Sequence, residues 1–436
     1  MEPLFSAVIC GCNAGLFREA LHEVYIPRIQ RGNAGYAANV LGAGRALLSA
    51  LVHFFEDGRW GSLVETGMEG QGLVAEDQLF ILTEAGLYLT ATRGLGAPEA
   101  RICYERAEPL CRLLNRPLML CVALIGQWRY SLLNDKLSAT MQIAERVHSL
   151  AQEQTNPALM IEAYRALAVT HHYLSDFEAS RQYAMRGAQI WRSECALLSR
   201  VEDPIAPAVA CIYYDAVIEW HFGEIDSCQA TMAQAISLAK ELNYMHGLAN
   251  ALWHAATLAQ YERNPAEVES YSSDLIELST RHNFAFWLSG GAIFRGWARS
   301  ASGDTAKGLA WIEEGIAGWM ATGGVLNMPY FLALKAEALQ LGDRTPEALE
   351  AISEAEALVE RFEDRHWCAE LHRLRGVFLA AMGADEAQIE VSFSEAIRIA
   401  REQKSVSLEK RAEATYAEYR RQKASGLGGR GIRLPL

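Results

Sequence analysis

The residues of this chain that could do chemistry are few and poorly spaced for it. Cys10-Gly-Cys12 offers two thiols to a metal, yet no second cysteine pair or nearby histidine cluster completes a four-ligand set. The pair therefore reads as buried small residues of a first helix. His22-Glu23 begins the zinc-protease pattern His-Glu-x-x-His, but Ile26 stands where the second histidine is needed. His171 and His172 are adjacent and point to different faces of a helix, and the step of six from His366 to His372 is not a same-face spacing. Each of these histidines is expected to be hydrogen-bonded near a packed face. Ser407-Leu-Glu-Lys410 matches the Ser-x-x-Lys pattern of some acyl enzymes without its companion motifs, and reads as the start of a closing helix. No glycine-rich loop ends in Lys-Ser/Thr, and the run Gly426-Leu-Gly-Gly-Arg-Gly431 has no strand before it. The expectation is a non-enzyme with no catalytic residue, no metal site and no cofactor.

The elements that position these side chains follow a beat of forty residues. A glycine or alanine recurs at Gly86, Gly126, Gly296, Ala336 and Gly376, a period that belongs to stacked helical pairs. Helix starts fall between the marks: Asn264-Pro265-Ala-Glu267 supplies a capping side chain, a first-turn proline and an acidic third residue, and Asn156-Pro157 and Thr345-Pro346 repeat the logic. Gly303-Asp304 and Gly342-Asp343 end one helix and begin the next. Second helices carry small or apolar stripes, Cys228/Met232/Ala235, Gly308/Ile312/Gly315 and Ala348/Ile352/Ala355, which suit close helix packing. Ala168 and Ala216 are 48 apart because Arg192 to Pro207 is an insertion.

The fold class is therefore all-α: a right-handed α-solenoid of about eight to nine helical hairpins with a C-terminal capping helix. Residues 1–56 form an N-terminal block of one to two hairpins, 57–77 a glycine-rich irregular connection and 78–403 the array with its insertion at 192–207. Residues 404–423 form the capping helix, with Ala412, Tyr416 and Tyr419 on one face, and 424–436 a flexible tail. Net charge is −13, from 40 Lys and Arg against 53 Asp and Glu, so nucleic acid is not an expected partner. The nine cysteines lack framework spacing, the amino terminus lacks a signal-peptide pattern, and no apolar run is long enough to span a membrane. A cytoplasmic location is expected, with no membrane partner.

Arg295-Gly-Trp-Ala, Lys335-Ala-Glu-Ala-Leu and Ala369-Glu-Leu-His-Arg-Leu-Arg-Gly376 make the array resemble tetratricopeptide repeats of the long variety found in bacterial signalling ATPases and maltose-regulon-activator-like regulators. Residues 20–33 look like the segment through which such proteins lead into their repeats, downstream of a nucleotide-binding module. The chain begins almost at the first repeat, so it is expected to be a separate gene product or a piece of a larger one, and no ATPase, cyclase or DNA-binding activity carries over. The resemblance implies a concave groove lined by the first helices: Glu162, Arg165 and His172; Tyr213 and Trp220; Asn250 and Trp253; Trp297; Tyr330 and Glu337; Glu370 and Arg373. It implies binding of a protein or peptide segment in a signalling or regulatory system. Sensing of a small metabolite that gates an NTPase or cyclase is the alternative.

Overall fold

The computed structural model describes residues 2–32, 43–64, 68, 70–194, 207–425 and 434–436. Most of the insertion, part of the glycine-rich connection and residues 426–433 of the tail lie outside the described residues. Among the described residues twenty helices follow in order, and the chain divides into two compact units, Met1–Leu133 and Asn134–Leu436, inside what the sequence reads as one array.

The first unit holds α1 (Glu2–Asn13), α2 (Phe17–Glu19, running into a π-helical stretch Ala20–Gln30), α3 (Gly44–Leu51), α4 (Ala75–Arg93), α5 (Pro98–Leu113) and most of α6 (Pro117–Asn134). His22 Nε2 lies 2.7 Å from Asp77, tying the π-helical stretch to α4. Cys12 is buried, which pushes its thiol up to about 12, whereas Cys10 is exposed rather than packed as expected.

The second unit begins with α7 (Leu137–Gln154) and continues as six helical pairs. These are α8 (Pro157–Tyr173) with α9 (Phe177–Glu194), α10 (Pro207–His221) with α11 (Ile225–Glu241), and α12 (Met245–Tyr261) with α13 (Pro265–His282). Next come α14 (Ala285–Ala301) with α15 (Thr305–Ala321), α16 (Met328–Leu341) with α17 (Thr345–Phe362), and α18 (Cys368–Met382) with α19 (Glu386–Glu402). The last helix is α20 (Val406–Ala424). Pairs stack in sequence as a tetratricopeptide-like solenoid. The forty-residue beat is written in the backbone: the turn inside each pair carries a residue of positive φ at Ser175, Gly223, Arg263, Gly303, Asp343 and Gly383, steps of 48 and then 40.

Asn156 and Asn264 cap their helices as expected, each accepting from backbone amides one turn ahead, 2.9 and 3.3 Å for Asn156 and 3.3 Å for Asn264. Thr345 does not: it is the first helical residue, and Arg344 before it pairs with Glu347.

The marker glycines are contact points. A Cβ on Gly126 would come within 2.2 Å of the Tyr104 ring, and one on Gly376 within 2.7 Å of Phe393. At Gly296 the neighbour is backbone: a Cβ would lie 2.6 Å from the Gly308 carbonyl oxygen, and one on Gly308 would lie 2.4 Å from that of Gly296. A carbonyl held in a helix cannot step aside, so α14 and α15 would have to separate. Gly296→Val is expected to destabilise by roughly 3 kcal/mol, the upper range for overpacking. Gly342→Ala meets nothing closer than 3.5 Å and has φ of −92°, so its melting temperature should match the parent. Equal melting of the two variants would refute the packing argument.

Candidate functional site

All twelve side chains assigned to the concave face are buried, none more than 7% exposed. The expected open groove is corrected on this point: the inner face of the second unit is filled. The unit closes on itself through α20. His221 Nδ1 at the end of α10 sits 2.8 Å from Ser405 Oγ, Ser407 Oγ donates to the Trp220 carbonyl at 2.5 Å, and Arg411 donates to the Tyr261 carbonyl. Gln403 reaches Ser175 at 3.1 Å and Lys404 pairs with Glu178 at 2.5 Å. Ser407 of the Ser-x-x-Lys string thus serves this seam, while Lys410 points to solvent. The reading of α20 as a cap also holds on its other face, where Tyr416 and Tyr419 pack on Phe393 at 5.4 and 5.7 Å.

Five of the twelve meet around one charged centre. Glu370 accepts from Arg373 through both oxygens at 2.9 and 2.8 Å, from Arg263 at 2.7 Å and from Arg411 at 3.4 Å. Glu337 accepts from Trp297 Nε1 at 2.7 Å and from Arg263. Trp220 lies under the Arg411 guanidinium at 5.4 Å and donates to Glu262. Burial opposes the charge on Glu370, but Arg373, Arg411 and Arg263 outweigh it and hold the carboxyl well below the usual carboxylate range. Arg263 Nε and Glu337 Oε1 are buried with no hydrogen-bond partner. An unmet buried polar atom costs about 1–3 kcal/mol, so this centre has bonding capacity left over.

A second cluster is aromatic and imidazole-rich. His172 packs 5.2 Å from His366, 6.1 Å from His221 and 5.3 Å from Tyr214, and its Nδ1 has no partner, contrary to the expectation for a packed-face histidine. His366 Nδ1 lies 2.7 Å from Asp364. His254 stacks on Tyr213 at 4.1 Å and holds the Asn250 carbonyl at 2.9 Å, while Asn250 Nδ2 donates to Tyr213 at 2.7 Å. Tyr330 donates to Gln260 at 2.9 Å. Burial first, then the neighbouring imidazoles, lowers His172 well below its ordinary value, and burial lowers His254 to about 3. As expected, His171 faces away, stacked on Tyr183.

The remaining three are Glu162, Arg165 and Trp253. Arg165 and Glu162 form a buried pair along α8 at 2.6 Å, and Trp253 fills the space between repeats against Trp319 and Phe294. Sequence reasoning missed Arg263 and Arg411 in the charged centre, and His221, His254 and Gln260 beside it. Among the described residues no cluster of His, Cys, Asp and Glu is placed to hold a metal ion, and no helix is long and apolar enough to cross a membrane.

The chain is a tetratricopeptide-like helical-repeat protein. No family model matches it. An uncharacterized protein of Rhizobium meliloti (strain 1021) is 24% identical over 343 residues, which is 78% of this chain and 33% of that protein, so this chain spans about a third of its relative. Among solved structures, a Rap protein complexed with Competence and Sporulation Factor shares the fold at a TM-score of 0.50 and 10% identity, over 80% of this chain and 99% of that one. The human IFIT1 dimer with m7Gppp-AAAA gives a TM-score of 0.48 at 12% identity, over 90% and 81%.

Proposed function

We propose that this chain is a non-enzymatic binding module that recognises a protein or peptide segment through the inner face of its second unit, within a cytoplasmic bacterial regulatory system. The observation that carries the reading is the convergence of Trp220, Trp297, Glu337, Glu370 and Arg373 with Arg263 and Arg411, a set that combines rigid aromatic area with directional charged donors. Tryptophan, tyrosine and arginine are the residue types that dominate recognition energetics. The Rap protein of like fold was crystallised with a factor bound, and the Rhizobium relative is long enough to join such repeats to a signalling ATPase module of the maltose-regulon-activator type. Both facts support the reading. Because α20 closes the inner face, a partner gains access by displacing the contacts of Ser405 and Ser407 with α10, while Arg411 stays to meet it.

The core position of Arg165, Arg373 and Trp220 makes them poor probes, since replacing them would disturb packing. Arg411 is better: its side chain is 18% exposed, and Glu370 keeps two other arginines without it. A random peptide library displayed on phage and panned on the full chain should enrich a consensus that binds in the micromolar range. Arg411→Ala should bind that consensus at least tenfold more weakly while melting within a few degrees of the parent. No consensus, or equal binding by Arg411→Ala, would end the proposal.

A further inference from the structure

The charged centre already holds a piece of polypeptide. Arg373 Nη1 donates at 3.2 Å to Thr415 Oγ1 of α20 and at 3.0 Å to the main-chain carbonyl of Pro435, far beyond the end of that helix. Pro435 is exposed, whereas Leu434 and Leu436 on either side are half-buried. The return is sterically easy. From Thr415 to Ser425 the helix advances about 15 Å at 1.5 Å per residue, and the nine steps from Ser425 to Leu434 can extend to ~30 Å. The carbonyl is therefore a main-chain acceptor lodged on an arginine that is 1% exposed and also bound to Glu370 and Thr415.

The centre has further capacity of matching kind. Three guanidinium groups, on Arg263, Arg373 and Arg411, surround the two carboxylates of Glu337 and Glu370, leaving one positive charge over. Arg263 Nε remains an unmet donor, and Glu337 Oε1, on a side chain that is 2% exposed, an unmet acceptor. An extended main chain presents carbonyl acceptors and amide donors in alternation, the complement of that pair. A small anion would meet the arginines and leave Glu337 unmatched.

We infer that the centre formed by Arg263, Glu337, Glu370, Arg373 and Arg411 is a site for the main chain of an extended, proline-containing peptide, and that Leu434–Leu436 of this chain is its resident occupant. The inference rests on the inner face being a recognition surface and adds what regulates it: an incoming segment competes with the chain's own tail for Arg373. The side chains of Leu434 and Leu436 hold the tail, and the Pro435 carbonyl sets its register.

The probe is the fluorescein-labelled hexapeptide Gly-Ile-Arg-Leu-Pro-Leu, the sequence of residues 431–436. Its anisotropy is titrated with the full chain, with the double variant Leu434→Gly/Leu436→Gly, and with a chain lacking 426–436. Both altered chains are expected to bind the hexapeptide at least tenfold more tightly than the parent, and two independent alterations guard against one misfolding. Binding equal to the parent's, or absent, in both overturns the inference. If the phage consensus still binds when the hexapeptide does not, recognition stands and the tail's role falls; if neither binds, both fall.

Discussion

Glu370→Gln is expected to cost the second unit about 3–5 kcal/mol, the range for removing one partner of a buried ion pair. The carboxylate is 1% exposed and accepts from Arg373, Arg263 and Arg411. A glutamine keeps the shape but cannot offset the buried guanidinium of Arg373 and the partly buried ones of Arg263 and Arg411, which would then face Glu337 alone. Since a domain is stable by only about 5–15 kcal/mol, the urea midpoint should fall far enough to be unmistakable. Glu347→Gln provides the contrast: its partner Arg344 is on the surface, water screens the pair, and no shift is expected. The cause can be separated from packing. In Glu370→Leu/Arg373→Leu a negative and a positive charge leave together, and the two leucines can pack, so the double variant should be more stable than Glu370→Gln. An unchanged midpoint in Glu370→Gln, or a double variant less stable than the single one, would refute the electrostatic account of this centre.

The repeat architecture is legible in sequence because its constraints are local and recur. Each turn needs a residue that tolerates positive φ, and Gly223, Gly303, Asp343 and Gly383 mark it. Each tight crossing needs a side chain no larger than Gly296 or Ala336 provides. The register implied by the tetratricopeptide resemblance likewise assigned Trp220, Glu337, Glu370 and Arg373 to inner faces. What the period cannot convey is curvature, which accumulates from a small rotation at every repeat and decides whether a groove stays open. Closure of α20 onto α10 and α12 joins residues about 150 to 190 positions apart, such as Arg411 with Tyr261 and Ser405 with His221. One signal pointed to it all the same. Ser407, Arg411 and Thr415 make a stripe at spacing four that Tyr419 continues, beside Ala412 and Tyr416, so the face that α20 buries is wider than its apolar residues alone. Arg263 sits in the turn before Asn264-Pro265, where it reads only as the approach to a helix cap. Its position beside Glu337 and Glu370 depends on how repeats stack, not on its own neighbours in sequence.

The imidazole cluster makes closure of the second unit sensitive to acid. His172, His221 and His254 are all held below their ordinary value of 6.5, first by burial and next, for His172 and His221, by neighbouring imidazoles. Titratable groups face them from every side: Tyr173 on α8, Tyr213 and Tyr214 on α10, Tyr261 on α12, His366 with Asp364 before α18, and Arg411 on α20. The sign follows from proton counting. Between about pH 6.5 and 5 the unfolded chain binds these three protons and the folded chain does not, so stability is full above 6.5 and falls as pH drops. Each imidazole loses about 1.4 kcal/mol per pH unit, hence about 2 kcal/mol by pH 5 and about 6 for the three. Asp215 works in the opposite direction. Burial and Glu219 raise it to about 6, so its protonation in the fold returns about 1.4 kcal/mol at pH 5. The histidines prevail by about fourfold. Below about pH 4.5 Glu370 adds to the loss, because its folded carboxyl resists the proton that the unfolded one accepts. Urea midpoints measured from pH 7.5 to 5 should therefore fall steeply below 6.5, and His172→Phe, which keeps the ring contacts with Tyr214 and His366, should recover about 2 kcal/mol of the loss at pH 5. A profile flat from pH 7 to 5, or one that His172→Phe leaves unaltered, would show that the seam between α10 and α20 does not depend on uncharged imidazoles.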